Sequence, residues 1–188
     1  MESRKPDRDE ALELLKQYNK SESLINHGLA VEGVMRHFAG IYNEEPDEWG
    51  IIGLIHDLDY EKYPEKHCQM TEKILRENNW PDEYIRAVLS HGWQVCTDIE
   101  PRTKLEKTLY AVDELTGLIT AVALVRPSRS VKDVKVKSVK KKWKQKQFAA
   151  GANREIIQRG ADMLEMELSD LIAETIEGMK KVSDDIGL

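Results

Sequence analysis

The chain has 188 residues, 40% of them apolar and 33% charged, with a net charge of −6. One domain of that length can bury its own core, and the apolar share excludes general disorder. No window reaches the roughly 18 consecutive apolar residues of a membrane helix, and the net acidity argues against a general nucleic-acid binder, whose affinity comes mostly from neutralised phosphates.

The opening MESRKPDRDE is charged and lacks the apolar centre of a signal peptide, so a cytoplasmic location is expected. Asp9-Glu10-Ala11-Leu12 begins a short helix that runs through Leu15 and Tyr18. Ser21 or Ser23 caps a longer one, with Leu24, Val31, Val34, Met35, Phe38, Ile41 and Tyr42 at helical spacing. Asp47 caps a third, Trp49 to Asp57, which is apolar almost throughout and therefore central. Pro64 and Pro81 sit in the first turn of the next two helices, where a missing N–H costs nothing. Cys68 and Cys96 stand 28 positions apart without a CxxC partner and read as reduced, packed thiols.

Thr103 and Glu106 form a capping-box pattern before a stretch to Val125 that is apolar on most sides. Ser130 with Asp133 offers another, although the alternation of Val134-Lys135-Val136-Lys137 also suits a short strand. Asn153 and Ser169 cap two last helices. The whole is an all-α, single-domain bundle of about eight helices over residues 1–188. Between Arg126 and Lys146 lie ten basic residues and one acid, a local charge of +9 that leaves −15 elsewhere. This segment reads as a solvated face, as a means of steering an anionic substrate, or as an RNA-binding face.

The histidines carry the chemistry. His27, His67 and His91 share the phase of the apolar stripe on their helices, and His56 ends the run Ile51–Ile55 with Asp57 directly after it. His37 is out of phase and reads as a surface residue. Asp113 lies within Leu109-Tyr110-Ala111-Val112 and Leu115, an inward carboxylate that costs several kcal/mol unless it is paired or bound to a cation. Inward imidazoles with carboxylates, and few inward lysines or arginines, ask for Mn, Fe, Co, Ni or Zn rather than Ca. Packed, hydrogen-bonded histidines are the plain alternative.

In order, His27, His56-Asp57 and Asp113 resemble the H…HD…D signature of the HD-domain metal-dependent phosphohydrolases. The surrounding texts NHGLAVEGVM, GLIHDLDYEKYPEKH and LYAVDELTGLI are similar too, over a motif core of residues 23–125 with a helical extension at 126–188. The resemblance implies an all-helical fold and one or two divalent ions, Mg among them. It implies His27, His56, Asp57 and Asp113 as ligands, with His67 and His91 completing a second ion site or acting on the substrate phosphate. Asp57, His67 and His91 would then be the catalytic set. Where many members carry a lysine after the doublet, this chain reads Leu58-Asp59-Tyr60-Glu61-Lys62, so Lys62 is either a phosphate contact from a longer loop or a solvated lysine. Asp59 and Glu61 are candidate acids, bases or supports. The implied activity is hydrolysis of a phosphate ester or anhydride, most naturally of a nucleotide. A dinucleoside polyphosphate hydrolase and a non-catalytic regulatory module that binds metal and nucleotide are the alternatives.

Overall fold

A computed structural model describes residues 5–188, so the first four residues of the charged opening segment lie outside it. The described residues form an all-helical bundle: α1 (Arg8–Tyr18), α2 (Glu22–Tyr42), α3 (Pro46–Ile55), α4 (Gln69–Glu77), α5 (Asp82–Ser90), α6 (Lys104–Leu124), α7 (Val136–Trp143), α8 (Arg154–Met163) and α9 (Leu168–Lys181). Among them no helix is long and apolar enough to cross a membrane.

Helix α6 is the axis of the bundle. It packs against α2, α5, α7, α8 and α9, and its Leu109, Val112, Leu115, Leu118 and Ile119 are fully buried. Thr103 and Glu106 start it with a reciprocal capping box, as the sequence suggests. Helices α2 and α3 approach closely because glycines face each other's backbone. A Cβ on Gly28 would lie 2.8 Å from the Leu54 carbonyl oxygen, and one on Gly53 would lie 3.1 Å from that of Val31. This contact sets His27 on α2 beside His56 at the end of α3.

Several helix starts shift from the sequence reading, each for a local reason. Helix α1 begins at Arg8 rather than Asp9, because Asp7 caps it through a capping box with Glu10. Pro46 takes the first position of α3, which frees Asp47 to accept from Arg36 at 2.6 Å. Pro64 begins a single 3-10 turn rather than α4, and Pro81 precedes α5. Ser21 makes no side-chain cap. The Glu61 carboxylate does that work for α2, accepting from the Lys20 and Ser21 amides at 2.6 and 2.9 Å. Residues 134–137 form no strand, since α7 starts at Val136, and Ser169 falls inside α9.

Buried charge is paired. Glu32, 3% exposed, accepts from Arg8 at 2.6 and 3.0 Å and from Arg36 at 2.9 Å, and Arg36 continues to Asp47, so α1, α2 and α3 are tied by one network. His37 is not a surface residue. It is largely buried between α2 and α9, bridging Glu174 at 2.7 Å and Lys181 at 2.8 Å. Trp80 is buried as well. Cys68 and Cys96 are not free thiols but are joined in a disulfide. Their 28-residue separation hides the fact that the segments carrying His67 and His91 are brought side by side.

Candidate metal centre

Five segments deliver six side chains to one point. His27 comes from the second turn of α2 and His56 from the end of α3, followed at once by Asp57. His67 closes the 3-10 turn before α4, His91 follows α5, and Asp113 lies in the middle of α6. Asp113 Oδ1 lies 2.9 Å from His27 Nε2 and 3.2 Å from His56 Nε2. Asp57 stands between two groups. Its Oδ2 is 3.4 Å from His56 Nε2 and 3.9 Å from His27 Nε2, and its Oδ1 is 3.5 Å from His67 Nε2 and 3.4 Å from His91 Nε2. The Nε2 atoms of His67 and His91 are 3.2 Å apart.

The protons on three of these rings follow from their other nitrogen. His56 Nδ1 lies 2.7 Å from the Gly53 carbonyl oxygen and His91 Nδ1 lies 2.5 Å from that of Val88. His67 Nδ1 lies 2.7 Å from the Asp59 carboxylate. An oxygen of that kind only accepts, so each Nδ1 must donate, and in the neutral ring each Nε2 then presents a lone pair. Three lone pairs therefore converge with two carboxylates. Such a set repels itself unless a cation, proton or metal, sits among it. Ligands about 2.1 Å from one ion stand roughly 3.0–3.4 Å from one another, the scale of most of the distances above. The residues present fit a divalent ion in two groups, His27–His56–Asp57–Asp113 and Asp57–His67–His91.

The electrostatics agree. Burial alone would lower the pKa of His56, but the Asp57 and Asp113 carboxylates outweigh it and raise it well above its ordinary value. Burial likewise pushes Asp57 and Asp113 up, and the neighbouring imidazoles prevail and hold both well below the usual carboxylate range. His67 is desolvated yet raised by Asp59 and Asp57. Such opposed shifts are what a cation-binding cluster shows when protons take the cation's place.

Asp59 proves to be the support of this centre. It is fully buried, its Oδ1 accepts from His67, and its Oδ2 accepts from the Thr71 amide at 2.8 Å, which fixes the imidazole's tautomer and direction. Glu61 is spent on capping α2. Lys62 does not reach the cavity: its ammonium lies over the rings of Tyr18 and Tyr63, 5.0 and 5.5 Å from their centres.

The centre opens into a cavity of about 440 Å³ whose wall includes Tyr60, Val95, Glu114, Gly117, Ala152 and Ile156. Glu114 was not legible as a site residue beyond its place beside Asp113. Burial and the Asp113 charge raise its carboxyl to about 7, against an opposing bond from the Asn153 amide. Tyr60 stands edge-on to the His67 ring at 5.2 Å. The wall residues Ala149, Gly151 and Ala152 belong to a loop clamped by Arg154, which donates to the Phe148, Ala149 and Ala152 carbonyls. No protein-family model matches this chain, and no solved structure matches it.

Proposed function

We propose that the chain is a metal-dependent phosphohydrolase of the HD type, acting on a phosphate ester or anhydride, with a nucleotide as the natural substrate. The observation that carries this reading is the meeting of three bare Nε2 lone pairs with the Asp57 and Asp113 carboxylates at the floor of an open cavity. The H…HD…D resemblance supplies the reaction class. His27, His56, Asp57 and Asp113 would hold one ion, and Asp57, His67 and His91 would hold a second.

Bound there, divalent ions acidify water and polarise a phosphoryl oxygen. The protein's own part is positional. Asp57 commits one oxygen to each group and so fixes their separation. Asp59 keeps the His67 Nε2 lone pair aimed inward, and the Gly53 and Val88 carbonyls do the same for His56 and His91. His67 and His91 thus serve as ligands rather than as proton donors to a leaving group. Among the described residues that line the cavity there is no lysine or arginine, so the ions carry the substrate's charge. That favours a substrate with a single phosphate over the dinucleoside polyphosphate alternative, whose chain of charges would lack partners.

The test is to replace His56 and Asp57 separately with Ala. Each variant is expected to lose bound metal, and to lose at least about 10³-fold in kcat/KM against a panel of phosphate esters, on the scale of losing a metal's Lewis acidity. Unchanged metal content together with unchanged hydrolysis would remove the proposal.

A further inference from the structure

Gly117 lies one turn beyond Asp113 in the interior of α6, where glycine costs stability relative to alanine. Gly28 and Gly53 make up for that cost by admitting a neighbouring helix. Gly117 admits no neighbour. Apart from its chain neighbours and the backbone of its own helix, no protein atom lies within 4 Å of the place its Cβ would occupy, and its backbone is not in the left-handed region. The space it keeps free is shared by two cavities. One is the metal cavity. The other, of about 520 Å³, also has His27 and Gly117 in its wall, and its remaining lining includes Leu24, Asn26, Ala30, Thr120, Leu124 and Ile186.

These residues follow one stripe of α6. Asp113, Gly117, Thr120 and Leu124 stand at helical spacings of four, three and four, so a single face runs from the metal ligand, over the glycine, to the second cavity. Leu124 ends that stripe 41% exposed, an apolar side chain that gains by being covered. Among the described residues lining the second cavity, Glu22 bears the charge and none is lysine or arginine, so the cavity suits an uncharged group. Its volume lies within the range of small-molecule sites.

We propose that the second cavity binds the uncharged, largely apolar ring portion of the substrate, while the phosphate lies at the metal centre and Gly117 is the gap between them. Thr120 and Asn26, whose Nδ2 also donates to the Ile186 carbonyl at 3.3 Å, are the polar lining residues offered to a ring's heteroatoms. This assignment rests on the phosphohydrolase reading for the phosphate end, but the ring site is physically separate from the ions.

The experiment uses metal-loaded protein with phenyl phosphate and 1-naphthyl phosphate, and separately measures binding of 1-naphthol, which has no phosphate, by calorimetry. The larger ring is expected to lower KM by about tenfold, the effect of burying one further ring edge. 1-Naphthol is expected to bind the wild type at least about tenfold more tightly than Gly117→Leu or Leu124→Glu, both retaining their metal. Gly117→Ala controls for folding: it should raise Tm, since it adds a helix-favouring methyl in open space, while still weakening 1-naphthol. If 1-naphthol binds in this pattern and neither ester is hydrolysed, the ring site stands and the phosphohydrolase reading falls. If the esters are hydrolysed with equal KM and 1-naphthol binds wild type and variants alike, the reading stands and the ring site is overturned.

Discussion

Asp57 is the residue on which the site turns, because its one carboxylate faces four imidazole Nε2 atoms at 3.4–3.9 Å. The ion-free protein must fill that centre with protons, and this has a pH signature. His56 has its folded pKa raised above the ordinary value near 6.5, so its contribution to stability is full below that value and is lost as pH rises through the raised one. Asp57 and Asp113 are depressed. Their contribution is present above about 3.8 and is lost only as pH falls through the lowered values. The chelated protein should therefore lose Tm as pH is raised above 6.5, and the metal-loaded protein should not, because the ion replaces the proton. Thermal melts from pH 6 to 9 with and without chelator read this directly; parallel curves would contradict it. Asp59→Asn should weaken ion binding on the His67 side by about 10- to 100-fold with little change in fold, measured by metal titration. That these histidines and aspartates turn inward was legible in the sequence, because histidine and aspartate in an apolar phase are costly without a partner. Lys62 stays open between phosphate contact and solvated lysine in the sequence, because its partners Tyr18 and Tyr63 become neighbours only in three dimensions. Asp59 could not be singled out, since nothing in the text sets its bond to His67 apart from the neighbouring Glu61.

At the scale of elements, the helices came from periodicity and their ends from competing caps. In α2 the apolar spacing puts Val31, Val34, Met35 and Phe38 inside, as found, whereas Ile41 near its end is 43% exposed. The start of α1 moves to Arg8 because Asp7 caps it, whereas α2 starts directly after Ser21, one of its two candidate caps, with Glu61 accepting from the Lys20 and Ser21 amides. The Glu32 network holds α1, α2 and α3 in the arrangement that brings His27 to His56. Removing one partner of a buried ion pair leaves the other uncompensated, which costs about 3–5 kcal/mol. Because Arg8 and Arg36 keep partial access to water, Glu32→Ala should fall at the lower end of that range in urea unfolding. A loss below about 1 kcal/mol would show that the network does not fix these helices.

At the scale of the molecule, residue patterns could give neither the pairing of the cysteines nor the place of the basic segment beside the cavity. The disulfide closes a 28-residue loop and links the His67 segment to the His91 segment. Reduction is expected to lower stability by about 3 kcal/mol through the freedom regained by the unfolded chain, seen as a lower Tm with reductant and no change in a Cys96→Ser variant. Identical melts of the wild type with and without reductant would count against that bond. The basic segment leads from α7 into the loop that walls the metal cavity, with Lys142 over the Phe148 ring at 4.5 Å. If it steers an anionic substrate, replacing Lys141, Lys144 and Lys146 by Gln should raise KM at low salt and flatten its salt dependence while leaving kcat unchanged. A KM indifferent to those changes would leave the segment as a solvated face.

The most direct measurement is a calorimetric titration of Mn into protein stripped of metal, beside the Asp57→Ala variant. Two ions per chain are expected for the wild type, with protons released on binding, and at most one weak ion for the variant. A wild type that takes up no more Mn than Asp57→Ala, with no proton release, would contradict the metal centre and everything built on it.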